Sequence, residues 1–278
     1  MKHYAHSKTG LIGLILLVVL IACALLAPWI APQNPYDLTQ LDVLDGRLSP
    51  NAQYWLGTDA QGRDMFSAIL YGLRTSLTVG VAATLGAVGL GLLAGILAGY
   101  FGGRIDAFIM RIADIQLSFP SMLIALVLVA VLGQGVDKII YALIAAQWAY
   151  YARTVRSTAL TERNKEYIDG AVTQGVRTPR ILWRHLLPNC LPPLLVVGMV
   201  QIAAAITLEA TLSFLGIGLP ITEPSLGLLI ANGYNYLLSG KYWISVFPGL
   251  TLVVVILSIN LVGDRLRELF DPRSAFRP

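Results

Sequence analysis

Long runs without a charged residue alternate along this chain with short segments that hold almost all of its charge. The uncharged runs extend from Thr9 to Tyr36, Thr75 to Gly103, Ile115 to Val136, Ile139 to Ala152, His185 to Leu208 and Tyr242 to Gly263. A helix that crosses a bilayer needs about 20 mostly apolar residues, and five of the six runs reach that length. The fourth has 14 residues, but its Trp148, Tyr150 and Tyr151 suit an interfacial aromatic belt. Arg153 and Arg156 can snorkel from its last turns, so it counts as a span. The pattern predicts an all-α polytopic membrane protein with six transmembrane helices. Leu20-Ile21-Ala22-Cys23 in the first run has the look of a lipoprotein cleavage site. The run continues to Ile30, however, which gives a full spanning length and favours an uncleaved helix.

Composition agrees with the pattern. Of 278 residues, 56% are hydrophobic and 13% charged, against soluble norms of about 45–50% and about 25%. A sizeable soluble domain has no room. The net charge of +4 would point to nucleic acid in a soluble protein, yet here the basic residues follow topology instead. With the N-terminus inside, fifteen of the twenty Lys and Arg fall in inside segments. The outside segments hold only Arg47, Arg63, Arg74, Lys138 and Lys241, so both termini are expected in the cytoplasm. Cys23 and Cys190 lie in or beside apolar runs and imply neither a disulfide framework nor a metal site.

Several chemistries have no motif here. The chain has no H-E-x-x-H, no G-x-S-x-G and only three scattered histidines. It also lacks G-x-x-x-x-G-K-[ST], since its one Gly-Lys pair, Gly240-Lys241, is followed by Tyr242. A phosphate-cradling loop is therefore not expected. Glu209 is the clearest acid within a span, either as a helix-interface hydrogen bond or as a pathway or gate group. Arg111 and Asp114 are three apart and close enough on a helix to pair locally. Pro120 invites a kink or a helix start, and with Glu209 it is a candidate gate or pathway position.

The 32-residue segment from Arg153 to Arg184 carries seven of the basic residues. Tyr167, Ile168, Ala171 and Val172 fall on one helical face, which predicts a short amphipathic helix. Gly175 supplies its stop. Thr178 can cap a second helix with Pro179 at its first position, and Leu187-Pro188 is expected to close that helix at the membrane. Such a loop could lie on the inner leaflet. A specific pattern points elsewhere: Glu166-Tyr167-Ile168-Asp169-Gly170-Ala171, then Gly175, then His185-Leu186-Leu187-Pro188-Asn189 resembles the EAA loop of ABC-importer permeases. Asp169 stands for the usual Glu, Gly170 for the first Ala and His185 for the Ile. The resemblance implies a coupling helix that docks in a groove of an ATPase subunit. Gly170 weakens that helix by about 1 kcal/mol relative to Ala, or permits close approach of the partner.

Three further segments are similar to the dipeptide, oligopeptide and nickel permeases, and within them to the C-type subunit. The first, Leu56-Gly57-Thr58-Asp59-Ala60-Gln61-Gly62-Arg63-Asp64, has capping-box spacing at Thr58 and Gln61 before an apolar stripe of Met65, Phe66, Ile69, Leu70 and Leu73. An outer amphipathic helix leading into the second span follows, most simply as an interfacial brace. The second segment is Glu209 to Gly218, and the third runs from Gly263 through Asp271-Pro272-Arg273. The resemblance implies a type I ABC-importer permease fold and a division into four parts. These are the tail and first span (1–31), an extracytoplasmic loop (32–74), a core of five spans with coupling loop 157–188 (75–266), and a cytoplasmic tail (267–278). It further implies a second, homologous permease subunit, two ATPase subunits that bind ATP and Mg, and an extracytoplasmic substrate-binding protein. The chain itself is expected to hold no cofactor and to perform no catalysis, in a bacterial cytoplasmic membrane. Short peptides are the expected cargo, with nickel chelates, glutathione or opines as alternatives. A self-contained channel or ion-coupled carrier stands from another class.

Overall fold

In hydrocarbon no water satisfies backbone N–H and C=O groups, so an uncharged run must hydrogen-bond to itself, and helices dominate this chain. A computed structural model describes residues 8–270. Lys2, His3, His6 and the Asp271-Pro272-Arg273 end of the tail motif lie outside the described residues. Eleven α-helices follow one another: α1 (Lys8–Leu25), α2 (Ala27–Ile30), α3 (Met65–Phe101), α4 (Gly103–Leu117), α5 (Ser121–Leu132), α6 (Val136–Arg163), α7 (Glu166–Thr173), α8 (Thr178–Ile181), α9 (Leu187–Phe214), α10 (Leu226–Tyr234) and α11 (Trp243–Phe270). No strand occurs among the described residues, only an isolated bridge between Thr58 and Asp64.

Length and composition mark three spans unaided: α3, the continuous stretch Thr178–Phe214 and α11. A fourth appears if α4 and α5 count as one, and these two meet at 90°. Pro120 causes the break, because it cannot donate into a helix and instead occupies the N-cap position of α5. The third uncharged run is thus two helices. The second span begins ten residues before its uncharged run, since the expected outer amphipathic helix and the span are one helix of 37 residues. The capping-box reading is also corrected. Asp64, not Thr58, is the N-cap of α3, and its carboxylate accepts from the Ser67 amide at 2.9 Å.

Helix α3 runs through every large apolar cluster. Its first turns pack Met65, Ala68, Ile69 and Leu73 with Ile206, Leu229, Ile244 and Ile259. Its middle sets Val79 and Ala83 with Val129, Leu143 and Leu212. Its far end joins Ala87 and Ile96 to Tyr151, Val155, Ile168, Ile181 and Leu186. Between α3 and α6 the backbones come close along Gly91, Gly95 and Gly99. A Cβ at Gly91 would lie 2.4 Å from Tyr151 Cβ, one at Gly95 2.6 Å from the Ala152 carbonyl oxygen, and one at Gly99 2.6 Å from Ala159 Cβ. Small residues at four-residue spacing let two backbones approach where lipid supplies no hydrophobic drive. On the other flank α1 lies on α11, with Gly13 against Leu261, while Ile12, Ile15, Val18 and Val19 stay exposed.

Gly95→Leu should force α3 away from α6, at a cost of about 1–3 kcal/mol for overpacking. A lowered unfolding temperature of the purified protein in detergent would register it, and an unchanged midpoint would remove the glycine seam from the account.

Candidate functional site

Three clusters contain the residues singled out in the sequence. The first surrounds α7. Lys165 precedes the helix in an extended conformation, and Glu166 and Asp169 occupy its first turn, where acidic groups suit the positive helix end. The expected apolar face divides in two. Ile168 and Ala171 are buried against α6, α8 and the start of α9, whereas Tyr167 and Val172 are exposed. Gly175 ends the segment at φ +72°, a left-handed conformation that other residues adopt at a cost, and its amide bonds to the Val172 carbonyl. A Cβ at Gly170 would meet nothing within 4 Å, so nothing within the described chain requires glycine there.

Two side chains outside the motif's consensus letters fasten this helix. Tyr167 donates to Glu162 at 2.7 Å, and Asn189 Nδ2 donates to Tyr167 Oη at 3.1 Å and to the His185 carbonyl at 2.7 Å. The Tyr167 hydroxyl is pushed up to about 12, first by burial and then by its bond to the Glu162 carboxylate, so it remains a donor at neutral pH. Helix α7 is thereby tied to the last turn of α6 and the first of α9. Sequence reasoning missed Glu162, although a lone acid five residues before Tyr167 in a basic stretch was a signal.

Leu187-Pro188 does not close a helix, contrary to expectation. α8 passes through a π turn at Leu182–Leu186 directly into α9, with the Leu187 amide bonding to the Leu182 carbonyl. Pro188, which has no N–H to donate, falls just after the π turn, where the hydrogen-bond register of the continuous helix changes. His185 lies within the π turn, its ring 6.3 Å from that of Tyr167. Thr178 opens α8 but makes no side-chain cap.

The second cluster lies at the opposite end of α3. Gly57, Thr58, Asp59, Gly62, Arg63 and Asp64 are all buried. Arg63 Nε pairs with Asp59 at 2.7 Å, and its guanidinium also donates to the Ile221 carbonyl at 3.2 Å. Asp59 accepts from the amides of Gln61 and Arg63. The Thr58 carbonyl accepts from Trp243 Nε1 at 3.1 Å, and Gln33 Oε1 accepts from the Asp64 amide. A Cβ on Gly62 would lie 1.9 Å from the Asp42 carbonyl oxygen, so the turn admits only glycine. These bonds join the loop before α3 to the loop after α9 and to α11, which is a brace. An open cleft of about 290 Å³ beside it is lined in part by Asp59, Arg63, Ser213 and Asn232.

The third cluster is within the helices. Glu209 is fully buried and accepts from Ser76 and Ser213, both at 2.8 Å, while Ser76 Oγ accepts from the Leu226 amide at 3.4 Å. The interface-hydrogen-bond reading of Glu209 thus has its partners, on α3, α9 and the start of α10. The Arg111–Asp114 pair does not form. Asp114 binds Arg153 at 2.5 Å and Asp106 binds Arg156, so the acids of α4 pair across to α6. Pro120 stands at the α4–α5 bend and is not among Glu209's hydrogen-bond partners.

An apolar helical bundle with a short helix seated at one end and a polar brace at the other has the build of a membrane-embedded protein. The chain belongs to the family of binding-protein-dependent transport system inner membrane components, whose model matches residues 91–275. Residues 1–50 match the N-terminal TM domain of oligopeptide transport permease C. A di/tripeptide transport system permease protein of Pseudomonas aeruginosa is 36% identical over 98% of this chain and 90% of its own length. A putative peptide transport system permease protein of Brucella suis is 40% identical over the same shares. The oligopeptide transport system permease protein of Bacillus subtilis is 35% identical over 98% and 88%. Among solved structures, the inward-facing MetNI methionine ABC transporter superposes with a TM-score of 0.59 at 21% identity, covering 73% of this chain and 96% of that one. The protein is a multi-pass inner-membrane permease rather than a catalytic enzyme.

Arg63→Ala would leave Asp59 buried without its cation, a loss of about 3–5 kcal/mol. The double variant Arg63→Ala with Asp59→Ala should be more stable than Arg63→Ala alone. Chemical unfolding of both in detergent checks this, and equal losses would mean that the unpaired Asp59 carboxylate carries no penalty.

Proposed function

We propose that this permease carries short peptides inward as one half of a membrane heterodimer, driven by ATP hydrolysed in two separate subunits. The cargo rests chiefly on one observation: the relatives named for di/tripeptide and oligopeptide transport match it along 98% of its length. An extracytoplasmic binding protein would deliver the peptide at the end bearing the Asp59–Arg63 brace. The α7 end would face the cytoplasm, because fifteen of the twenty basic residues then lie inside. Six spans follow if α1, the α4–α5 pair and α6 each cross once; α6 is long enough at 28 residues but richer in charge than the others.

In this reading α7 is the coupling helix. Its buried side, Ile168 and Ala171, holds it to the chain, while Tyr167, Val172 and the open surface at Gly170 receive the ATPase. ATP and Mg belong to that partner. Closure of the ATPase pair would press on α7, and the Glu162–Tyr167–Asn189 bonds would pass the displacement to α6 and α9 together. Glu209 would hold α3, α9 and α10 in register as those helices tilt.

Proteoliposomes containing the chain with its partner subunits should accumulate labelled dipeptide only when ATP is supplied. Uptake without ATP or ATPase would overturn the importer reading, and ATP-driven uptake of a nickel chelate but no peptide would overturn the cargo. Gly175→Val places a β-branched residue at positive φ, a strain of about 1–2 kcal/mol. Peptide uptake per ATP hydrolysed should fall while membrane insertion is unchanged; an unaltered ratio would dismiss α7 as the coupling element.

A further inference from the structure

One apolar groove borders the α7 cluster but plays no part in the hydrogen bonds described there. It lies between the last turns of α3 and the π turn, has a volume of about 160 Å³, and is lined by Leu92, Leu93, Ile96, Leu97, Leu182, Trp183 and Leu187. All seven side chains are hydrophobic. It is open to the surroundings, since Leu93 and Leu97 are about half exposed and Trp183 is 62% exposed. Leu90, Leu93 and Leu97 continue as an exposed strip along α3, at i, i+3 and i+7.

Two basic residues flank its lining. Arg184 directly follows Trp183 in the π turn, and Arg180 lies two residues before Leu182 in α8. Arg180 and Arg184 are exposed, neither forms an ion pair among the described residues, and no acidic side chain lines the groove. An uncompensated pair of guanidinium groups with an apolar slot one turn away fits one chemistry. The ligand must carry an anionic oxygen cluster at one end and a hydrocarbon chain at the other.

We propose that the groove binds one anionic phospholipid of the inner leaflet, with an acyl chain along Leu93, Leu97 and Leu187 and the phosphate against Arg180 and Arg184. Arg supplies planar bidentate donors suited to a phosphate, and basic pockets on the cytoplasmic side of membrane proteins hold such head groups. Trp183, exposed and next to Arg184, is an indole of the kind that favours the membrane interface. The leaflet rests on the orientation argued above; the pairing of groove and arginines does not. The bound lipid would wedge the π turn against α3, next to the helix that seats α7.

Native mass spectrometry of the purified full-length chain, taken from vesicles of phosphatidylglycerol and phosphatidylcholine in equal amounts, reads the lipids that stay bound. Wild type should retain one phosphatidylglycerol in preference to phosphatidylcholine. Arg180→Gln with Arg184→Gln should cut that preference about 30-fold, equivalent to about 2 kcal/mol for two basic groups near an anionic surface. The Arg180→Lys, Arg184→Lys variant should retain most of it. Leu93→Trp should fill the groove and remove the bound lipid with both arginines in place. Equal retention of the two lipids by wild type, unchanged retention in the Gln or Trp variants, or a second protein chain bound over Trp183 would each overturn the site. Labelling of an Arg184→Cys variant in a Cys23→Ser background from outside intact cells would overturn the leaflet, and with it the orientation, while a surviving lipid adduct would leave the groove standing.

Discussion

The fold depends on the close approach of α3 and α6. Helix α3 takes part in all three large apolar clusters, and it reaches the third only because Gly91, Gly95 and Gly99 present no side chain to Tyr151, Ala152, Val155 and Ala159. A bilayer offers helices little net gain from burying apolar surface against one another, so contact must come from shape and hydrogen bonds. Once the seam closes, the last turns of α6 stand at a set distance from α9, and the space left between them is the seat that Ile168 and Ala171 fill. The short helix is held by a cavity that two long helices define.

Polar groups in the helices are disposed to the same end. Glu209 and its serines tie three helices at one level, and Arg63 with Asp59 ties the loop before α3 to the loop after α9. Buried ion pairs add little stability over apolar replacements, but they penalise any arrangement that leaves one partner alone. A protein that must change shape repeatedly gains from such bonds. They restrict which packings are admissible while leaving the total stability modest.

Much of this was legible in the sequence because the requirement that hydrocarbon imposes is severe. Five of the six uncharged runs needed no tertiary information to be read as helical. Failures cluster where tertiary partners decide. Asp114 has a local candidate in Arg111 but finds Arg153 on another helix, which no i, i+3 rule contains. The start of α3 was misjudged because Thr58 has capping spacing, yet its hydroxyl is taken by the Asp45 carbonyl and the Leu48 amide of a folded loop. α10 went unremarked, although Ser225 before Leu226, Leu228 and Leu229 is a legible cap and run. In α7 the periodicity was right but its meaning was incomplete, since one apolar face serves both the chain's own interior and the surface outside it.

The π turn at Leu182–Leu186 places one more residue in that turn than an α-helix would hold. The wide turn absorbs that residue, so the rotation accumulated across it is about that of an α turn with one residue fewer. Removing a residue at the π turn would therefore return the segment to α geometry and leave Ile181 facing almost the same way relative to α9. Removing one from α8 with the π turn kept would instead rotate what precedes it by about 100° and swing α7 off its seat. A change of length in this stretch is thus tolerated at the wide turn and not beside it.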